Sequence, residues 1–207
     1  RGLDDGRVKT FLGIRYGQAP ADGRRFLPPS KAHAWTEIFD ATTYPNRAMQ
    51  LKTESSRGEP IEGQMDEDCL FLNIVTPSNN TKSCPVLFWI HGGAFINGSG
   101  NEFDGSVLAH QGDVVVVTVN FRLGHFGFLD LSSHGKRFAS SASNNISDLV
   151  LALQWLNENI EDYGGDPKNV TIFGESSGGS AVLGLLAAPS ADTLYHTAIA
   201  HSPICHY

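Results

Sequence analysis

The segment Gly174-Glu175-Ser176-Ser177-Gly178 sets a serine between two glycines, each two residues away, directly after the β-branched run Val170 to Phe173. That G-x-S-x-G spacing lets a strand turn sharply into a helix with a serine hydroxyl exposed at the bend. Only Ser176 holds the central position, so it is the candidate nucleophile. The flanking glycines allow strand and helix to approach closely. The helix that follows brings about half a positive charge to its N-terminus, where a tetrahedral intermediate would carry a negative one. An ordinary Gly/Ser turn satisfies the same pentapeptide, so the neighbouring segments must decide.

A second glycine-rich loop, His91-Gly92-Gly93-Ala94, follows another apolar run. Consecutive backbone N–H groups without side-chain interference are what an acyl-transfer site needs around an oxyanion. The N–H of Ser177, the residue after the candidate nucleophile, would complete such a hole. Glu175 is the serine's sequence neighbour and is read as shaping the electrostatics and water of the acyl site, not as a triad acid.

Both loops need rigid elements behind them. Runs rich in β-branched or aromatic residues at Val8 to Tyr16, Leu70 to Thr76, Pro85 to His91, Val114 to Val119, Val170 to Phe173 and Ala198 to His201 read as strands. Three of them, at 85–91, 114–119 and 170–173, are apolar nearly throughout, the pattern of strands covered on both faces. Ile146, Leu149, Val150, Leu153, Leu156 and Ile160 repeat at helical spacing, which predicts a helix over 145–160 with Asn145 as its cap and Asp148 three residues on. The stretch after Ser176 predicts a second helix, containing Ser180 and stopping near Pro189. Strand and helix alternate, so the class is α/β. Ligand sites in such sheets lie at the carboxyl ends of the strands, where both loops fall.

Composition narrows the partners. The chain has 207 residues, 41% apolar and 18% charged, enough for one substantial core. A formal charge of -7 offers no basic surface for nucleic acid, and no apolar window is long enough to span a membrane. Cys69, Cys84 and Cys205 match no zinc spacing and cannot all pair, which favours a reducing, cytoplasmic compartment. The Asn-x-Ser/Thr triplets at Asn79, Asn97, Asn145 and Asn169 carry weight only in a secretory context, the alternative location. The acids Glu59, Glu62, Asp66, Glu67 and Asp68 read as a solvated face.

Taken in order, "FLGIRYGQAP", "RRFLPP", "DEDCLFLNIVTP", "FWIHGGAFINGSG", "VVVVTVNFRLGHFGFL" and "YGGDPKNVTIFGESSGGSAV" resemble the N-terminal part of the type-B carboxylesterase and cholinesterase family of α/β-hydrolases. The resemblance implies an α/β-hydrolase fold, with a mixed, mostly parallel sheet flanked by helices, and residues 1–207 as the N-terminal portion of one such domain. It implies hydrolysis of small carboxylic esters through an acyl-enzyme on Ser176. Gly93, Ala94 and Ser177 would supply the oxyanion N–H groups, with Gly92 shaping the loop. No cofactor or metal is implied. By the same resemblance His91 is structural, and Arg122 with Asp148 and Arg25 with Glu67 are scaffold ion pairs.

Departures from the family pattern are informative. Ala94 stands where many members have glycine, which places a methyl beside the acyl site. Ser177 replaces the usual alanine, and its hydroxyl is expected to be a bystander. Secreted members pair a cysteine near Pro45-Asn46-Arg47-Ala48 with the equivalent of Cys69, and here that segment has none. Residues 52–68 lack the aromatic that would hold a choline cation.

A serine needs a histidine to take its proton and a carboxylate to orient that histidine. Beyond the elbow stand only Asp192 and His196, His201 and His206. The expectation is that the triad acid and histidine lie in a C-terminal remainder of the same protein. A compressed triad is the sharper alternative, and a non-catalytic adhesion or scaffold fragment is the reading from another class.

Overall fold

The apolar runs become strands of one seven-stranded sheet, five of them inside it and the last, Ala198 to His201, at the end of the described strand order. The structure is a computed structural model, and it describes residues 1–51, 54, 58, 60–79 and 83–204. The strands are β1 (Leu3–Asp4), β2 (Val8–Arg15), β3 (Phe71–Pro77), β4 (Cys84–Ile90), β5 (Val115–Val119), β6 (Gly165–Glu175) and β7 (Thr197–His201). Their spatial order is β1-β2-β3-β5-β4-β6-β7. β1, β2, β3 and β5 pair antiparallel in turn, whereas β5, β4, β6 and β7 run parallel. The sheet is thus mixed, and both candidate loops leave its parallel half.

Four α-helices, α1 (Ser106–Gly112), α2 (Gly124–Phe128), α3 (Asn144–Asn159) and α4 (Ser177–Leu186), flank it. Alternation along β5 assigns the faces. Val115, Val117 and Val119 join the main core with Leu149, Leu153 and Leu156 of α3 and Val182 and Leu185 of α4. Val116 points the other way, to Val8, Val75 and Ala109 of α1. Only β5 is buried along its whole length. Within their apolar runs, 86–90 of β4 and 170–174 of β6 alternate between buried and half-buried. Their less covered face is roofed by an aromatic cluster, in which the Trp89 ring lies 4.5 Å from that of Phe103 and 4.8 Å from that of Phe173. An apolar run can therefore serve a face that rings shield only in part.

The two predicted helices form, with a change at the start of α3. Its N-cap is Ser143, and Asn145 lies inside the first turn, fully buried. Asp148, expected three residues after the cap, instead turns into the protein toward Arg122. α4 ends at Leu186 and Pro189 opens the next turn, as the proline requires.

The acidic stretch is not simply solvated. Asp68 forms a two-point bond with Arg15, at 2.5 and 2.7 Å, and Glu67 pairs with Arg25. Glu59 lies outside the described residues, as do Cys205 and His206. Cys69 and Cys84 are both buried. Burial pushes the Cys69 thiol far above the ordinary range, so it is inert as a nucleophile. Of the four Asn-x-Ser/Thr triplets, only Asn79 and Asn169 begin on exposed residues. Among the described residues, no helix is long and apolar enough to cross a membrane.

Candidate active site

β6 ends at Glu175 and α4 begins at Ser177, so the whole reversal falls on Ser176. Its φ of 56° and ψ of −122° lie in a region that L-residues rarely occupy. Such strain persists only where the surroundings over-determine it. Here the Ser176 N–H donates to the His201 carbonyl at 2.9 Å, and the Ser176 carbonyl accepts from the Ser180 N–H at 3.0 Å. Gly178 lets α4 sit against β4: a Cβ on it would stand 2.1 Å from the Ile90 carbonyl oxygen.

The loop after β4 runs against this turn. Gly93, Ala94 and Phe95 take φ values of 105°, 56° and 59° in succession. This left-handed run strains every residue except glycine. At Gly93 there is no alternative to glycine, since a Cβ would lie 2.1 Å from the Asn97 carbonyl oxygen. The N–H groups of Ile96 and Asn97 both donate to the Gly93 carbonyl at 3.0 Å. Gln50 grips Gly98 from both sides, its Oε1 accepting from the Gly98 N–H and its Nε2 donating to the Gly98 carbonyl, each at 2.9 Å. Asn120 Oδ1 then accepts from the Ser99 hydroxyl at 3.0 Å and the Gly100 N–H at 2.7 Å. The sequence did not single out Gln50 or Asn120, because nothing local marks a side chain that reaches a distant loop.

Among the described residues, no hydrogen bond engages the N–H of Gly93, Ala94 or Ser177. Backbone donors left open on two neighbouring loops are what a developing oxyanion needs. Glu175 is exposed, yet its carboxylate folds back over the loop, so that a Cβ on Gly92 would lie 3.0 Å from Glu175 Oε2 and 3.3 Å from Ser176 Cβ. The six residues Ser176, Ser177, Glu175, Gly92, Gly93 and Ala94 are therefore brought together at the carboxyl ends of β4 and β6.

The Ser177 hydroxyl, expected to stand by during catalysis, has a structural contact: it is buried and accepts a hydrogen bond from the Phe95 N–H at 3.1 Å. That bond ties the elbow to the loop.

His91 is fixed as a structural group. Its ring stacks on Phe121 at 4.6 Å, and Nδ1 lies 2.8 Å from the Gly92 carbonyl oxygen, so Nδ1 carries the proton and donates it. Burial lowers its pKa to about 4, against a smaller upward pull from that carbonyl. At neutral pH the ring is uncharged.

Behind the site, Asp148 accepts from Arg122 Nε at 2.8 Å, from its Nη2 at 2.6 Å and from its backbone N–H at 3.1 Å. Both side chains are buried. Burial alone would lower the Arg122 pKa, but the Asp148 carboxylate reverses this and holds it above the ordinary value. Arg25 and Glu67 also pair, but at the surface. The two pairs are not energetically alike.

A compressed triad finds little support. His196 sits at the start of β7, its N–H donating to the Val170 carbonyl and its Nδ1 accepting from the Val170 N–H. That end of the sheet is opposite the elbow, and Asp192 precedes it. His201 does reach the elbow, paired in register with Glu175, but through its backbone. Among the described residues, no hydrogen bond joins a histidine to the Ser176 hydroxyl.

The chain is 42% identical, over 98% of its length, to the para-nitrobenzyl esterase of Bacillus subtilis, and it spans 41% of that protein. It is 40% identical to the liver carboxylesterase B-1 of Rattus norvegicus over 95% of its length, spanning 36% of that relative. The crystal structure of a Geobacillus stearothermophilus carboxylesterase superposes with a TM-score of 0.88 at 45% identity, covering 96% of this chain and 40% of that one. The chain thus spans about two fifths of the length of the relatives it matches. An elbow strained at Ser176, a left-handed glycine loop beside it and a mixed sheet beneath them agree with the family model, described as the carboxylesterase family, that matches residues 1–207 from end to end; the chain belongs to that family.

Proposed function

We propose that residues 1–207 are the N-terminal portion of a single α/β-hydrolase domain that hydrolyses small carboxylic esters. The observation that carries this is the left-handed Ser176, held between β6 and α4 in contact with the Gly92-Gly93-Ala94 loop. Ser176 Oγ attacks the acyl carbon and gives its proton to a histidine. The acyl oxygen takes the negative charge and accepts hydrogen bonds from the N–H groups of Gly93, Ala94 and Ser177. The alcohol leaves with the proton held by the histidine. Water then repeats the attack, the acid is released, and Ser176 regains its proton. Glu175 and Gly92 shape the acyl side of the site. The histidine and the acid that orients it come from the part of the protein beyond this chain.

Turnover of p-nitrophenyl acetate by the full-length protein, compared with its Ser176→Ala variant and with isolated residues 1–207, tests the reading. The variant and the isolated segment are each expected to lose on the order of 10⁴ to 10⁶ in kcat. Rapid labelling of isolated residues 1–207 at Ser176 by a fluorophosphonate would refute the distant triad.

The free, buried thiol of Cys69 and the absence of a cysteine at 45–48 support a reducing, cytoplasmic location. Fractionation of the source cells checks it.

A further inference from the structure

Ala94 and Phe95 both hold positive φ without being glycine, a strained conformation for an L-residue, so something must hold them there. Phe95 is pinned on both sides. Its carbonyl accepts from the Gly124 N–H at 2.7 Å, and its N–H donates to the Ser177 hydroxyl at 3.1 Å. Its ring packs edge-on against Phe128 at 5.1 Å. Of these three contacts only the hydroxyl comes from the elbow, and it grips the peptide that directly follows Ala94.

We infer that the Ser177 hydroxyl is a positioning group for the oxyanion loop, and that it offsets the strain introduced by Ala94. Ser177 thereby acts twice, through its own N–H and by fixing the orientation of the Gly93 and Ala94 N–H groups. A loop free to relax at Ala94 would turn its peptide and lose aim at the oxyanion while leaving the ester's ground-state contacts intact. The hydroxyl becomes dispensable once residue 94 can take φ near 56° without cost, which glycine does. Ala94 and Ser177 are a coupled pair.

This rests on the esterase reading, and the test separates the two. In the full-length protein, kcat and KM for p-nitrophenyl acetate are measured for wild type, Ser177→Ala, Ala94→Gly and the double variant, with Ser176→Ala as control. Ser177→Ala is expected to lower kcat about tenfold, less than the loss of a whole oxyanion donor, with KM nearly unchanged. In the Ala94→Gly background the same change costs less than about threefold, a coupling that a merely structural serine would not show. Inhibition by a trifluoromethyl ketone, which forms an oxyanion on binding, weakens in step with kcat. Should Ser177→Ala not accumulate folded, Ser177→Cys replaces it in the cycle, since a thiol is a weak acceptor of similar size. An unchanged kcat for Ser177→Ala, or equal losses in the two backgrounds, overturns the inference and leaves the esterase reading standing. Full activity in Ser176→Ala overturns both.

Discussion

The carbonyl oxygen of Ile90 occupies the space that a side chain on Gly178 would need. The obstacle is backbone in the middle of the sheet and cannot swing aside. Gly178→Ala is therefore expected to destabilise the protein by about 3 kcal/mol, the upper end for overpacking. It is also expected to slow fluorophosphonate labelling of Ser176, because α4 carries the elbow. Gly184→Ala, six residues along the same helix, meets only the tip of the Ile146 side chain at 3.0 Å, and is expected to stay within about 1 kcal/mol of wild type. Urea denaturation of both variants checks the contrast.

Ala94→Gly removes the methyl beside the proposed acyl site. The ratio of kcat/KM for branched over linear acyl esters is expected to rise by about tenfold, the scale of one methylene in a fitted pocket. An unchanged ratio would show that the methyl does not face the acyl group.

Asp148→Asn leaves Arg122 charged, buried and without its counter-charge. It is expected to cost about 3–5 kcal/mol and to lower the yield of folded protein, with substrate preference unaltered. Glu67→Gln breaks the surface pair with Arg25 and is expected to leave the thermal midpoint unchanged. Thermal melts of the two variants, side by side, decide it.

His91 stays neutral in the folded protein down to about pH 4, while an unfolded histidine takes its proton near 6.5. Between those values the unfolded state binds more protons, so stability falls as pH drops through that window and does not change further below it on this account. The loss attributable to His91 is about 3 kcal/mol. His91→Gln is expected to flatten the stability profile between pH 6.5 and 4, as read by denaturant midpoints at a series of pH values.

What the sequence made legible is what its backbone demands locally. An elbow that needs glycine at 178, a loop that needs it at 93, and strands written as apolar runs all announce themselves within a few residues. α1 and α2 did not, since one buries only Ala109 and the other holds two glycines in five residues. The start of α3 was displaced because Asn145 has the chemistry of a cap while its position gives it to the core. The Ser177–Phe95 bond was beyond reach for a different reason: it joins residues 82 apart, and neither shows its conformation in its type.

The strained peptide at Ser176 depends on an acceptor, the carbonyl of His201, that lies 25 positions further along the chain. In order of synthesis the serine emerges first and its restraint afterwards. A nascent chain halted before β7 has the elbow's sequence but lacks the partner that sets its geometry. The strained backbone of Ser176 is thus completed late in synthesis, by β7 and not by the helix that adjoins it.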